Sequence, residues 1–142
     1  MNTKHVPDLE LCQEFDRLCK EKEIAVPEIE HVWVLNAPFF DGNFSERDMV
    51  MNPNEYQELI ENVGEAVHDI IPAPLVSEQG EWLPRKYKTM YFDTIREAGK
   101  WRMTYTDQIK KEYLEVFEES TEANARQKML NYLIAEGIIT TL

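Results

Sequence analysis

Tyr91-Phe92-Asp93-Thr94-Ile95-Arg96-Glu97-Ala98-Gly99-Lys100-Trp101-Arg102-Met103-Thr104-Tyr105-Thr106 is the stretch that decides the fold. Two runs of aromatic and β-branched residues flank Ala98-Gly99 and read as a β-hairpin. A two-residue or a four-residue loop gives the same register, with Arg96 near Trp101, Thr94 near Met103 and Phe92 near Tyr105, so one face is apolar. The other face carries Tyr91, Asp93 and Ile95 against Thr106, Thr104 and Arg102, the mixed surface of a sheet with one side in water. A one-residue slip would set Ile95 against Trp101 and mix the faces, which favours the even loop.

Working outward, residues 107–111 read as a turn and 112–117 as a further strand. Ser120 or Thr121 then caps a helix whose apolar positions Ala125, Met129, Tyr132 and Leu133 recur at three and four residues, with Gly137 just past its end. Glu118, Glu119 and Glu122 lie near the helix start, where the macrodipole favours negative charge. This helix is expected to close over the hairpin.

Toward the N-terminus, a first helix is expected over 8–22, with Asp8 as N-cap and Leu11, Cys12, Phe15, Leu18 and Cys19 on its buried face. Residues 31–35 form a short strand-prone run around Trp33, expected to be another strand of the hairpin's sheet. Residues 36–51 show no clear period and read as a long aromatic loop containing Phe39, Phe40 and Phe44. Asn52-Pro53 opens a helix to about Ile70, and Ile71-Pro72-Ala73-Pro74 breaks it. A short helical turn from Ser77 to Trp82 precedes the hairpin. These elements predict a single α+β domain over 1–142, an antiparallel sheet of about four strands with helices packed mainly on one face; the alternative lets the 52–70 helix stand apart as a flap.

The charge sets bounds on function. A formal net charge of −12 repels phosphate backbones and anionic lipid at long range, which disfavours nucleic acid as a partner. The main basic concentration runs from Arg85 to Arg102. No run of about 18 apolar residues is present and the first eleven residues lack a signal-peptide core, so no membrane association and a cytoplasmic location are expected. Cys12 and Cys19 are about 10 Å apart along a helix, too far for a mutual disulfide, and read as small buried hydrophobes.

Motifs assign no catalytic, cofactor-binding or metal-binding residue. Asp41, Asn43 and Ser45 match the first ligand positions of a calcium loop, but Glu46 and Asn52 occupy the places that need glycine and a bidentate glutamate. Glu65 and His68 have the spacing of a di-iron bundle pair, without the second pair that such a site needs.

The segments Val6-Pro7-Asp8-Leu9-Glu10-Leu11-Cys12, Ile71-Pro72-Ala73-Pro74, Glu81-Trp82-Leu83-Pro84, Gly99-Lys100-Trp101 and the final helix with Gly137-Ile138-Ile139 resemble a group of small uncharacterised proteins of bacterial phages and prophages. The 36–70 region departs from that group. The resemblance implies a mobile-element origin and a bacterial cytoplasm, and brings no activity or site residues with it.

Three functions follow as expectations. The first is a non-enzymatic accessory protein that binds another protein, or forms a homo-oligomer, with Phe39, Phe40, Phe44, Tyr91 and Arg102 as the candidate surface. The second is a small metal-dependent hydrolase using His31, His68 or the acids of 41–48, and the third binds nucleic acid through the basic hairpin with Tyr87 and Tyr91.

Overall fold

The computed structural model describes residues 5–40, 44–63 and 69–142. Helix α1 (Leu9–Glu21) starts after Asp8 and buries Cys12, Phe15, Leu18 and Cys19. Strands β1 (Val32–Phe40), β2 (Phe44–Met51) and, after helix α2 (Pro53–Val63), β3 (Ile70–Pro72) form an antiparallel sheet in the order β2-β1-β3. Helix α3 (Val76–Trp82) leads to β4 (Lys86–Tyr87), β5 (Met90–Glu97), β6 (Lys100–Asp107), β7 (Glu112–Tyr113) and β8 (Phe117–Glu119). These make a second antiparallel sheet in which β6 is flanked by β5 on one side and by both β7 and β8 on the other. Helix α4 (Glu122–Ala135) is the last helix, and the residues after it bury Ile139.

The α+β class is as expected, but the strands are divided between two sheets of three and five. The 31–35 run does not join the hairpin sheet, because β1 pairs with β2 and β3 instead. The described residues of the 36–51 segment, 36–40 and 44–51, are not irregular: they belong to the paired strands β1 and β2. Their alternation is hidden by a register shift between Val34 and Ala37, where Asn36 takes a left-handed conformation (φ 55°) and its N–H donates to Asp48 Oδ1 at 3.0 Å. Among the described residues β3 covers only Val32 to Val34 and no strand pairs with Pro38 on that side of β1, a position where proline is tolerated.

The middle helix is shorter than expected within the described residues. Asn52 and Glu55 cap it reciprocally, Glu55 N donating to Asn52 Oδ1 at 2.9 Å and Asn52 N to Glu55 Oε1 at 3.2 Å. Glu65 and His68 lie outside the described residues, and Ile70, placed by periodicity on the helix, belongs to β3 because it pairs with Val34. Helix α2 is not a free flap: Tyr56 and Leu59 pack on Val34, Ala37 and Met51. Val6, Cys12 and Val50 meet on the opposite side of this sheet, with Trp33 packed against them.

The 90–107 hairpin has the expected register, Phe92 opposite Tyr105, Thr94 opposite Met103 and Arg96 opposite Trp101. Met103 and Tyr105 are fully buried and Phe92 partly so, its ring 5.2 Å from that of Tyr105. The expected third strand is split into β7 and β8, with Leu114 N still donating to Tyr105 O at 2.9 Å between them. Thr121 caps α4, its Oγ1 accepting from Asn124 N at 3.2 Å, and Gly137 (φ 74°) supplies the left-handed residue beyond the end.

Helix α4 is buried on more than one face, because α1 and α3 pack on it from one side and β6 and β8 from the other. Among its buried residues are three amides. Gln79 Nε2 donates to Ala123 O and to Gln127 Oε1, both at 3.0 Å; Gln127 Nε2 donates to Asn131 Oδ1 at 2.8 Å; Asn131 Nδ2 donates to Leu11 O at 3.1 Å. The result is a continuous chain of hydrogen bonds from α3 through α4 to α1. Asn124 adds a second tie, exchanging two bonds with Asp8 at the start of α1.

The β5–β6 turn places Ala98 (φ 52°) and Gly99 (φ 76°) in the left-handed region, as a type I′ turn requires. An alanine there carries about 1 kcal/mol of strain that asparagine largely avoids. Ala98→Asn is therefore expected to raise the unfolding free energy by about 0.5–1 kcal/mol in urea titration, and an unchanged or lower value contradicts the turn assignment.

Candidate functional site

Alternation along the strands sends Phe92, Met103 and Tyr105 inward toward the core that holds α4, and sends Tyr91, Asp93, Ile95, Arg102, Thr104 and Thr106 outward. Cross-strand pairing lines up Lys86, Tyr91, Thr106 and Tyr113 as one outward row over four strands. Among the described residues no helix covers this row. Tyr91 is 59% exposed, Tyr113 69% and Ile109, on the turn after β6, 95%. The Lys86 ammonium sits over the Tyr91 ring, 5.3 Å from its centroid.

Between the row and the two adjacent turns lies a groove of about 640 Å³, lined by Lys86, Tyr91, Asp93, Thr106, Ile109 and Lys110 among others. Asp107 builds its end wall. Its Oδ1 accepts from Ile109 N at 3.0 Å and Lys110 N at 3.1 Å, and its carboxylate also accepts from the Thr89 side chain in the β4–β5 turn. The backbone bond from Lys110, then Thr89, hold this carboxyl below the usual aspartate range. One side chain thus joins the two turns that frame the groove and presents Ile109 at its lip.

The sequence-derived candidates are placed unevenly. Tyr91 and Arg102 share the outer face of the five-stranded sheet. Arg102 donates to Glu118 Oε2 from Nε at 3.3 Å and Nη2 at 3.1 Å, and Lys100 reaches the other oxygen at 3.5 Å, so two of the hairpin cations are engaged within the sheet. Arg102 is the main reason that the Glu118 carboxyl is held below its ordinary range. Phe39 and Phe40 end β1 and Phe44 begins β2, in the other sheet; their side chains lie outside the described structure. Sequence reading did not single out Tyr113 or Ile109, whose joint placement depends on the turn that Asp107 organises.

The hairpin cations do not form one face. Lys86, Lys100 and Arg102 point outward, whereas Arg96 lies over Trp101 at 5.3 Å and Lys88 over Tyr87 at 5.4 Å on the inward side. Cys12 and Cys19 are buried and free, and burial pushes their thiols up to about 12 and about 11. Among the described residues no three His, Cys, Asp or Glu side chains gather into a group that could hold a metal ion. Asp41, Asn43 and His68, named above for such roles, lie outside the described residues. No described helix is long and apolar enough to cross a membrane.

Because the Asp107 pKa is lowered on folding, its contribution to stability is present above the ordinary aspartate value of about 3.9 and is lost as pH falls below it. Asp107→Ala is expected to lower the unfolding free energy at pH 6, with the gap to the native chain closing as pH is taken down toward 2. A gap that stays constant with pH contradicts the role given to the carboxylate.

Compared with known proteins, the chain matches no family model, no curated protein and no solved structure. The functional reading therefore rests on the chemistry of the groove and the face around it.

Proposed function

We propose that the protein is a phage- or mobile-element-derived accessory protein that acts by binding another protein through the outer face of the five-stranded sheet. The observation that carries this reading is the collection of Tyr91, Tyr113 and Ile109, large and exposed, around one groove on a sheet face that no described helix covers. Exposed apolar groups gathered in this way mark interaction surfaces, and tyrosines that combine a broad ring with a polar tip are enriched at their energetic centres. The sequence resemblance to phage and prophage proteins supports the origin.

Nucleic acid suits this surface less well. A strand-binding face needs cations beside stacking rings, and here the hairpin cations are split between two faces, with Arg102 and Lys100 turned onto Glu118. The groove offers instead two ammonium groups, Lys86 and Lys110, with the Asp93 carboxylate among apolar walls, a pattern suited to a peptide side chain with polar neighbours.

A photo-crosslinking residue in place of Tyr113, expressed in phage-infected or element-bearing bacterial cells, tests the proposal. A discrete adduct is expected, and Tyr91→Ala combined with Ile109→Asp is expected to abolish it, since loss of one central tyrosine costs about 2 kcal/mol or roughly thirtyfold in affinity. The same group at Gln13, exposed on α1, serves as control. No adduct at position 113, or equal capture at both positions, would count against the proposal.

A further inference from the structure

Strand β5 is longer than the strand that covers it. β4 pairs only with Met90 and Tyr91, and beyond them Phe92 N donates to Arg85 O at 2.9 Å. In an antiparallel strand alternate residues direct their backbone groups to opposite sides, so Thr94 and Arg96 face the same side as Phe92, away from β6. Among the described residues no strand continues β4 along this side, and no backbone hydrogen bond to Thr94 or Arg96 is found there. The edge is an extended row of two N–H and two C=O groups, with Ile95 40% exposed on its outer face.

Local charge says which chain suits this edge. Residues 85–111 hold eight of the 15 basic side chains and only three of the 27 acids, Asp93, Glu97 and Asp107. Beside the edge, Arg85 and Arg96 lie on the inward side with Thr94, whereas Asp93 and Glu97 point outward. Charges farther away than about 8–10 Å are largely screened at physiological salt, so the local sign governs docking. A second copy of β5 fits poorly. Pairing Thr94 with Arg96 sets Asp93 against Glu97, pairing Arg96 with itself opposes two cations, and pairing Thr94 with itself needs the place beside Phe92 that Arg85 already fills.

We propose that the free edge of β5 at Thr94 and Arg96 is a strand-addition site for an extended acidic segment of the partner protein, which rests on the protein-binding reading given above. The added strand continues the line of β4. It exchanges backbone bonds with Thr94 and Arg96, sets an apolar side chain beside Ile95 and places carboxylates within reach of Arg96 and Arg85.

The test uses the full chain and a capped pentapeptide, Glu-Val-Glu-Val-Glu, followed by amide NMR and hydrogen exchange. In the free protein the Thr94 and Arg96 amides should exchange fast while those of Asp93 and Ile95 are protected; with peptide, the first two should shift and slow by roughly tenfold or more. A Lys-Val-Lys-Val-Lys peptide and a copy of the acidic peptide N-methylated along its pairing edge should do neither. Arg96→Glu should reverse the preference between the two charged peptides, and Thr94→Pro, which removes one edge donor, should weaken the response.

Protection of both amides in the free protein, an equal response to the N-methylated peptide, a response confined to Tyr91 and Thr106, or no response at millimolar peptide would overturn the proposal. Protection that grows with protein concentration alone would instead identify self-pairing and also overturn it. Each readout is at the β5 edge and separate from capture at position 113, so the two readings fail independently.

Discussion

The hydrogen-bonded amide chain from Gln79 through Gln127 to Asn131 and Leu11 O is the constraint on which the arrangement of the helices depends. Apolar side chains pack in many relative orientations at similar energy, but a buried amide left without its partner costs about 1–3 kcal/mol, so the helices are confined to the placement that joins them. That placement puts Met129, Leu130, Leu133 and Ile134 of α4 in one core with Tyr105 on the inner face of the five-stranded sheet. Tyr105 is further fixed because its hydroxyl donates to Pro84 O ahead of β4.

With α4, α1 and α3 committed to the inner side, no described helix covers the outer face. The consequence is a surface where two tyrosines and an isoleucine stand in solvent beside a groove, and where β4 ends before β5 does. Cations are concentrated in this part of the chain, so a protein of net charge −12 still sets two arginines, Arg85 and Arg96, beside that edge. Long-range repulsion of anionic polymers and short-range attraction for an acidic peptide are compatible, because screening separates the two length scales.

The hairpin was legible because its alternation is clean over sixteen residues and Gly99 marks the reversal; the register followed from requiring Phe92, Met103 and Tyr105 to share a face. The cap at Thr121 and the stop at Gly137 were readable for similar local reasons. The β1–β2 hairpin was not, because a register shift at Asn36 interrupts the period and Pro38 argues against a strand. The buried amides escaped the periodicity argument, which scores apolar residues only. Their spacing of three and four along α4 (Asn124, Gln127, Asn131) was the available signal. Of the site, Tyr91 could be placed from the hairpin alone, whereas Ile109 and Tyr113 required the turn closed by Asp107.

The amide chain can be tested directly with a double-mutant cycle on Gln79→Leu and Gln127→Leu, read as unfolding free energies in urea. Each single change should destabilise by about 1–3 kcal/mol, and the double variant should lose clearly less than their sum, with a coupling of at least about 0.5 kcal/mol. Additive losses, or single variants as stable as the native chain, would contradict the claim that this hydrogen-bonded path sets the helices in place.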